Sequence, residues 1–167
     1  MHSIVDSFAR IFNVFVFRVR KLFYVIYNVF IDLLTLTLRL TRDMRDVEEM
    51  FRVVVFNVLS HNRDDHSKKF SFLMDDIGAW RASPAYDLTF SSGPNGHQST
   101  MVMGEGKSPN LHNLKALGQD AKIDKRKIDD IISQTQDALS AWRHLAGEHG
   151  VSRVNIALIN EKINLDV

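Results

Sequence analysis

The chain has 167 residues, enough to bury one sizeable hydrophobic core. Its hydrophobic and charged fractions, 45% and 25%, are typical of a globular protein, and a net charge of +1 provides no strong field for nucleic acid or acidic lipid. The absence of cysteine excludes disulfides and thiolate metal sites and suits a reducing cytoplasm, where we expect the protein to act.

Residues 1–31 form an atypical apolar N-terminal segment. They hold six of the eleven phenylalanines, a single acid and four bases. The apolar run over residues 12–31 is long enough to span a membrane, but three cations lie inside it, each costing roughly 2.5–3.5 kcal/mol at the bilayer centre. Membrane insertion is therefore not favoured. A helix on a membrane surface, a buried helix and a segment that does not fold properly stay open as alternatives.

Two helices are predicted next. Leucines recur from Asp32 to Leu40, and residues 41–43 break the pattern. From Asp46 to about Ser60 apolar residues recur at three- and four-residue steps and cover nearly all sides after Phe51. This pattern predicts a buried core helix.

A β-hairpin is predicted after this helix. Residues 69–74 alternate around Phe70, Phe72 and Met74, residues 75–78 are a turn signal, and residues 79–82 return as the second strand. Residues 99–103 predict another short strand, and the two tryptophans are expected in the core.

The last third of the chain is predicted to be helical. A short helix over residues 110–117 is closed by Gly118, and Asp124 caps a long helix that extends to Leu145. Ser152 caps a final helix. We therefore expect an α+β, mainly helical domain over residues 32–150, followed by a helix and tail over residues 151–167.

The stretch 62–69, together with Asp87, has the spacing of a kinase-type site. In such sites a loop carboxylate is the catalytic base, an Asn five residues later binds Mg²⁺, and an Asp beyond a hairpin also binds Mg²⁺. Asp64 and Asp87 fit the first and last positions, whereas Lys69 stands at the Asn position. A protonated lysine offers no lone pair to a metal, and its charge repels Mg²⁺.

Several motifs in this order resemble a known family. They are Arg45-Asp46-Val47-Glu48-Glu49-Met50-Phe51-Arg52, Phe56-Asn57-Val58-Leu59, Asn62-Arg63-Asp64-Asp65-His66-Ser67-Lys68, Phe70-Ser71-Phe72-Leu73 and Pro84-Ala85-Tyr86-Asp87-Leu88-Thr89. Over roughly residues 33–148 the chain resembles the C-terminal lobe of HipA-family toxins, which are serine/threonine kinases of type II toxin–antitoxin modules. The fold that this implies is the HipA or protein-kinase-like C-terminal lobe with one or two small hairpins.

The resemblance implies a role for each residue. Asp64 matches the catalytic base, and His66 would lie near the transferred phosphate. Lys68 matches a family lysine of the same loop with a catalytic and nucleotide-binding role. Asp87 would bind Mg²⁺ together with Asp64, and the cofactors would be Mg²⁺ and ATP.

The resemblance also implies partners and a defect. The partners would be a HipB-like antitoxin, operator DNA reached only through that antitoxin, and a protein substrate such as an aminoacyl-tRNA synthetase. No glycine-rich phosphate loop and no strand lysine for the α- and β-phosphates is recognisable before Asp64. We therefore expect a truncated kinase that is weak or inactive alone. The alternative is a non-catalytic fragment that binds the antitoxin or pairs with a separate lobe.

Simpler interpretations of the same residues remain. Asp64 and Asp65 suit the solvated junction between a helix and a loop, and Asp87 suits an Asx-type turn. His61 and His66 beside Asp65 suggest a zinc hydrolase, but no further ligand follows at the i, i+4 spacing that would complete three ligands.

Overall fold

The computed structural model describes residues 29–163 and confirms the α+β, mainly helical class. The helices are α1 Val29–Thr41, α2 Met44–Leu59, α3 Leu111–Asp120, α4 Lys125–Ser140, α5 Trp142–Glu148 and α6 Arg153–Lys162. The strands are β1 Phe72–Met74 and β2 Trp80–Ala82, which form a two-stranded sheet. A single 3₁₀ turn, Ser67–Lys69, precedes β1.

The first described helix reaches into the segment that composition set apart. α1 begins at Val29, and Phe30 is fully buried, with its ring edge-on to Phe70 at a centroid distance of 6.0 Å. α1 therefore continues across residue 31, and the division of the chain at that residue stays a prediction. The rest of the apolar run over residues 12–31 lies outside the described residues. Within residues 29–163 no helix is both long and apolar enough to cross a membrane.

Helix α2 lies at the centre of the core, as predicted. Asp43 is its N-cap and accepts a hydrogen bond from the backbone nitrogen of Arg45 at 2.9 Å. Eight of its residues are buried, and it packs against α1, α4 and β2. They are Val47, Met50, Phe51, Val54, Val55, Asn57, Val58 and Leu59. A helix buried on most sides gives the following loop a rigid starting point.

The predicted hairpin is confirmed. β1 and β2 are antiparallel, with Phe72 opposite Ala82 and Met74 opposite Trp80. Phe72 is buried while Leu73 is exposed, as the alternation predicts. The backbone nitrogen of Ala82 donates to Asp46 Oδ1 at 3.1 Å, so the hairpin is attached to the first turn of α2.

The prediction of a strand over residues 99–103 is wrong. Val102 and Glu105 form a single antiparallel bridge, with reciprocal backbone hydrogen bonds of 2.9 and 3.0 Å. Met103 and Gly104 between them have φ angles of 51° and 82°. The chain therefore reverses after one residue pair, and no ladder can extend.

The prediction that Gly118 ends its helix is wrong, because Gly118 lies inside α3. A Cβ at Gly118 would come within 2.7 Å of two carbons of Ile128 and 3.1 Å of Phe51. The glycine is therefore required by the close packing of α3 on α4 and α2. Asn110 caps α3 through a reciprocal pair of hydrogen bonds with Asn113, each 3.1 Å long.

The long C-terminal helix forms as two helices. Asp124 caps α4 as predicted, accepting from the backbone nitrogens of Arg126 and Lys127. α4 ends at Ser140, and α5 continues after Ala141, so the predicted helix to Leu145 is interrupted. Ser152 caps α6 as predicted. Tryptophan burial is partial rather than complete, since Trp80 and Trp142 are both of intermediate exposure.

Candidate active site

The loop that carries the site is fixed to the end of α2. His61 has a φ of 61°, which turns the chain sharply after the helix. Asn62 is buried, and its backbone nitrogen donates to the Asn57 carbonyl at 2.8 Å. The Asn62 side-chain amide also donates to Asn57 Oδ1, at 3.0 Å. These two bonds set the direction in which residues 63–66 leave the helix.

A second segment of the chain holds the other side of this loop. Arg63 donates its backbone N–H to Ser91 and Ser91 donates to His61, at 3.2 and 3.1 Å. The carbonyl of Arg63 accepts from both the backbone nitrogen and the hydroxyl of Ser99. The His61 ring is stacked on Phe90, with centroids 5.6 Å apart. The backbone directly before Asp64 is therefore held on both edges.

Asp65 is an internal anchor, which the sequence did not reveal. Its side chain has no exposed surface, and its Oδ1 accepts from the backbone nitrogen of Thr100 at 3.1 Å. The Thr100 hydroxyl donates to the Asp65 carbonyl at 2.7 Å. Oδ2 has no hydrogen-bond partner in the described structure, and burial raises the pKa of Asp65 to about 7. Consecutive aspartates thus face opposite ways, with Asp65 inward and the half-exposed Asp64 outward.

The hairpin brings Asp87 beside the loop. At the open end of the hairpin, the pairing of β1 with β2 continues through Ser71 and Ser83. The backbone nitrogen of Ser83 donates to the carbonyl of Ser71 at 3.0 Å, and the two hydroxyl oxygens are 2.7 Å apart. The Tyr86 hydroxyl donates to the carbonyl of Lys68 at 2.9 Å, crossing the base of the hairpin. Asp87 follows with a φ of 54°, a left-handed conformation that aspartate tolerates better than most residues.

Lys69 joins the two carboxylates. Its Nζ donates a hydrogen bond to Asp87 Oδ2 and lies 3.3 Å from Asp64 Oδ2. Both carboxylates are about half exposed, whereas the Lys69 side chain is only 20% exposed. The hydrogen bond that Lys69 donates to Asp87, and to a lesser degree the one it donates to Asp64, raises the pKa of Lys69. The two aspartates therefore share one cation, which comes from the chain itself.

The other predicted site residues have different surroundings. His66 Nδ1 accepts from the backbone nitrogen of Lys68 at 3.2 Å, and its Nε2 lies 3.6 Å from Asp64 Oδ1. In the neutral ring the proton therefore sits on Nε2, on the side of Asp64. Lys68 is exposed, and within residues 29–163 its side chain forms no ion pair with either aspartate. The structure brings Asp64, His66, Lys69 and Asp87 together, and leaves the Lys68 side chain in solvent.

The comparison with protein families decides which fold family this is. The sequence profile of the family described as HipA-like C-terminal domain matches residues 5–142. The chain belongs to this family. The match includes the whole site and α1–α4, and it begins well before residue 33, where the motifs of the sequence first show the likeness.

A curated relative supports the same family. The protein named "Putative kinase Y4mE" of Sinorhizobium fredii (strain NBRC 101917 / NGR234) is 28% identical over 108 residues. The aligned region is 59% of this chain and 26% of that protein. The chain thus corresponds to about a quarter of the relative's length.

The site of this HipA-like domain does not fit the Mg²⁺ that the family resemblance implies. A magnesium site needs oxygen ligands in near-octahedral geometry. Here the position between the two carboxylates holds the ammonium of Lys69. Among the described residues no group of three His, Asp or Glu side chains converges as a metal site requires, which also argues against the zinc hydrolase interpretation for residues 29–163.

Proposed function

We propose that this chain carries the catalytic loop of a HipA-like serine/threonine kinase whose activity is weak. Asp64 is the general base, ATP is the phosphoryl donor and a protein serine or threonine is the acceptor. Support comes from the family match and from one geometric observation: Asp64 and Asp87, which are separate in sequence, reach the same cation. Protein substrates such as aminoacyl-tRNA synthetases, and a cytoplasmic location, belong to the same proposal.

In the proposed reaction the acceptor hydroxyl oxygen attacks the γ-phosphorus of ATP. The new O–P bond forms as the bond between the γ-phosphorus and the β–γ bridging oxygen breaks, ADP leaves, and the hydroxyl proton passes to Asp64. Asp64 is suited to this because it is half exposed on a loop whose backbone is fixed by Asn62, Ser91, Ser99 and Thr100. His66 lies beside Asp64, where an imidazole can donate to a phosphate oxygen.

Lys69 explains why the activity should be weak. Its ammonium contacts the Asp64 carboxylate, so it competes with an acceptor hydroxyl for the same oxygen atoms. It also ties Asp64 to Asp87, which limits how far either side chain can move towards a nucleotide. Replacing Lys69 with asparagine removes the competing charge and introduces a short, neutral polar side chain.

We expect the Lys69→Asn variant to transfer more phosphate from radiolabelled Mg·ATP, to itself or to an added protein acceptor, than the wild type does. Adding Asp64→Asn in that background should reduce transfer by about 100-fold or more, since general bases typically contribute 10²–10⁴-fold. Lys115→Asn is the matched control, because Lys115 forms an ion pair with Asp129 at 2.9 Å on another part of the surface. Transfer at background level in every variant would contradict the kinase proposal.

The alternative is a non-catalytic fragment that binds a HipB-like antitoxin or a separate kinase lobe. The closed ion pairs at Lys69 favour it, because they neutralise the groups that catalysis requires. A groove of about 400 Å³ lies beside the hairpin and could receive such a partner. Its lining includes Asp46, Met50, Phe56, Pro84 and Leu88. Retention of purified antitoxin by a chain that transfers no phosphate would support this alternative, and operator DNA would then be bound only through the antitoxin.

A further inference from the structure

The ammonium of Lys69 occupies the position of a cation that two carboxylates would otherwise need. Asp64 and Asp87 come from different segments, and each directs an Oδ2 atom at the same nitrogen. An ammonium has three hydrogens to donate, so it can serve both carboxylates at once. Two carboxylates that converge on one point repel each other unless a cation lies between them.

The local charges show how the cluster is balanced. Asp64 and Asp87 contribute two negative charges, and Lys69 contributes one positive charge. His66 is the other basic group in contact with the cluster in the described part of the chain, on the outer side of Asp64 at 3.6 Å. Asp65 lies close in sequence but points into the core. A divalent cation could enter only if the Lys69 ammonium moved out, because both would need the same carboxylate oxygens.

The position of Lys69 makes that movement unfavourable. Its side chain is 20% exposed, much less than either carboxylate. Its backbone is also fixed, since Lys69 donates its N–H to the carbonyl of His66 at 2.9 Å and closes the 3₁₀ turn. The ammonium therefore reaches the carboxylates from a fixed backbone position and along a largely buried side chain.

We propose that Lys69 is a built-in replacement for a divalent cation. It holds Asp64 and Asp87 together without metal and prevents Mg²⁺ or Mn²⁺ from binding between them. This inference goes beyond the proposed kinase function, because it concerns which cation occupies the site and not whether phosphate is transferred. One residue change, Lys69→Asn, should therefore convert a metal-free site into a metal-binding one.

The test is a measurement of Mn²⁺ binding. Electron paramagnetic resonance detects free Mn²⁺, and binding is measured as the decrease of this signal when protein is added. We expect wild type to leave the signal unchanged and Lys69→Asn to reduce it with one-to-one stoichiometry. Asp87→Asn in the Lys69→Asn background should restore the signal. Lys115→Asn, which removes an exposed lysine paired with Asp129, should behave as wild type.

Two results would overturn the proposal. If wild type binds Mn²⁺ as tightly as Lys69→Asn, the ammonium does not exclude metal. If neither protein binds, the two carboxylates do not form a cation site. If Lys69→Asn does not give the wild-type circular dichroism spectrum, wild type alone can show whether the Lys69 ammonium excludes a divalent cation. In wild type, addition of Mg²⁺ should leave the NMR signals of the Lys69 side chain unshifted. A shift there would contradict the proposal. Mn²⁺ binding without phosphate transfer would leave this inference intact and count against the kinase proposal only.

Discussion

Asp65→Asn should be more stable than wild type by up to about 4 kcal/mol at pH 8 and close to wild type in stability below pH 4. Burial raises the pKa of Asp65 to about 7, against an ordinary value near 3.8. This difference between the folded-state and the ordinary pKa corresponds to roughly 4 kcal/mol. The stabilising effect of a raised carboxyl pKa is complete below the unfolded-state pKa and disappears as pH rises to the folded-state pKa. The contribution of Asp65 to the stability of wild type should therefore be lost between about pH 4 and pH 7.

Asparagine is uncharged at every pH, like the protonated carboxyl group. Its Oδ1 can keep the hydrogen bond from the backbone nitrogen of Thr100. The measurement is urea unfolding from pH 4 to pH 8, with the difference between the two proteins plotted against pH so that groups common to both cancel. Asp76→Asn, which removes an exposed carboxylate in the hairpin turn, is the control for the loss of an aspartate at the surface. A flat difference for Asp65→Asn would show that Asp65 ionises normally in the folded protein.

Gly118→Val should lower the free energy of unfolding by about 2–3 kcal/mol, the upper part of the range of about 1–3 kcal/mol expected for overpacking a core. The new Cβ alone would lie 2.7 Å from two carbons of Ile128. Ile128 is fully buried, and Phe51 on the other side is also fully buried, so neither can move aside easily. The change should appear in the urea midpoint with an unchanged slope.

Gly147→Val is the matched control for this change. Gly147 also lies inside a helix, but nothing is within 4 Å of a Cβ built there. The free energy of unfolding of the Gly147→Val variant should stay within about 0.5 kcal/mol of that of wild type. Equal losses for the two variants would show that helix propensity, and not the contact between α3 and α4, determines the cost at Gly118.

The parts of the fold that were predictable from the sequence are those set by local pattern. After Phe51, α2 is apolar on nearly all sides, so the burial of this part follows from its local sequence pattern. The hairpin follows from alternation and from the turn at Asp75, whose side chain accepts from the backbone nitrogens of Ile77 and Ala79. Asp124 and Ser152 were recognisable as caps because capping is a contact within one helical turn.

The predictions that failed depend on neighbours far away in sequence. Gly118 is typical of a helix end, but its partner Ile128 lies on the next helix and demands a small residue inside α3. Residues 99–103 have strand-like composition, but Ser99 and Thr100 are used to hold the loop around Asp65. Neither requirement is visible in a local window.

The candidate site was predictable in outline only. The motif spacing identified Asp64, His66 and Asp87 as neighbours, and the structure places Asp64 and Asp87 on one cation. The sequence indicated that Lys69 would repel Mg²⁺, but not that it would bind both aspartates. It also did not indicate that Asp65 points into the core, because that orientation depends on Thr100, 35 residues later.

The most direct test of the account is whether residues 64 and 87 face each other. The chain contains no cysteine, so Asp64→Cys and Asp87→Cys introduce unique thiols. The shortest bifunctional methanethiosulfonate should cross-link them within one molecule, and mass spectrometry distinguishes this from two separate additions. Asp64→Cys with Asp76→Cys is the control, because Asp76 lies at the tip of the hairpin, away from its base. We expect a cross-link between residues 64 and 87 and none between residues 64 and 76. Two separate additions at residues 64 and 87 would show that these side chains do not face each other.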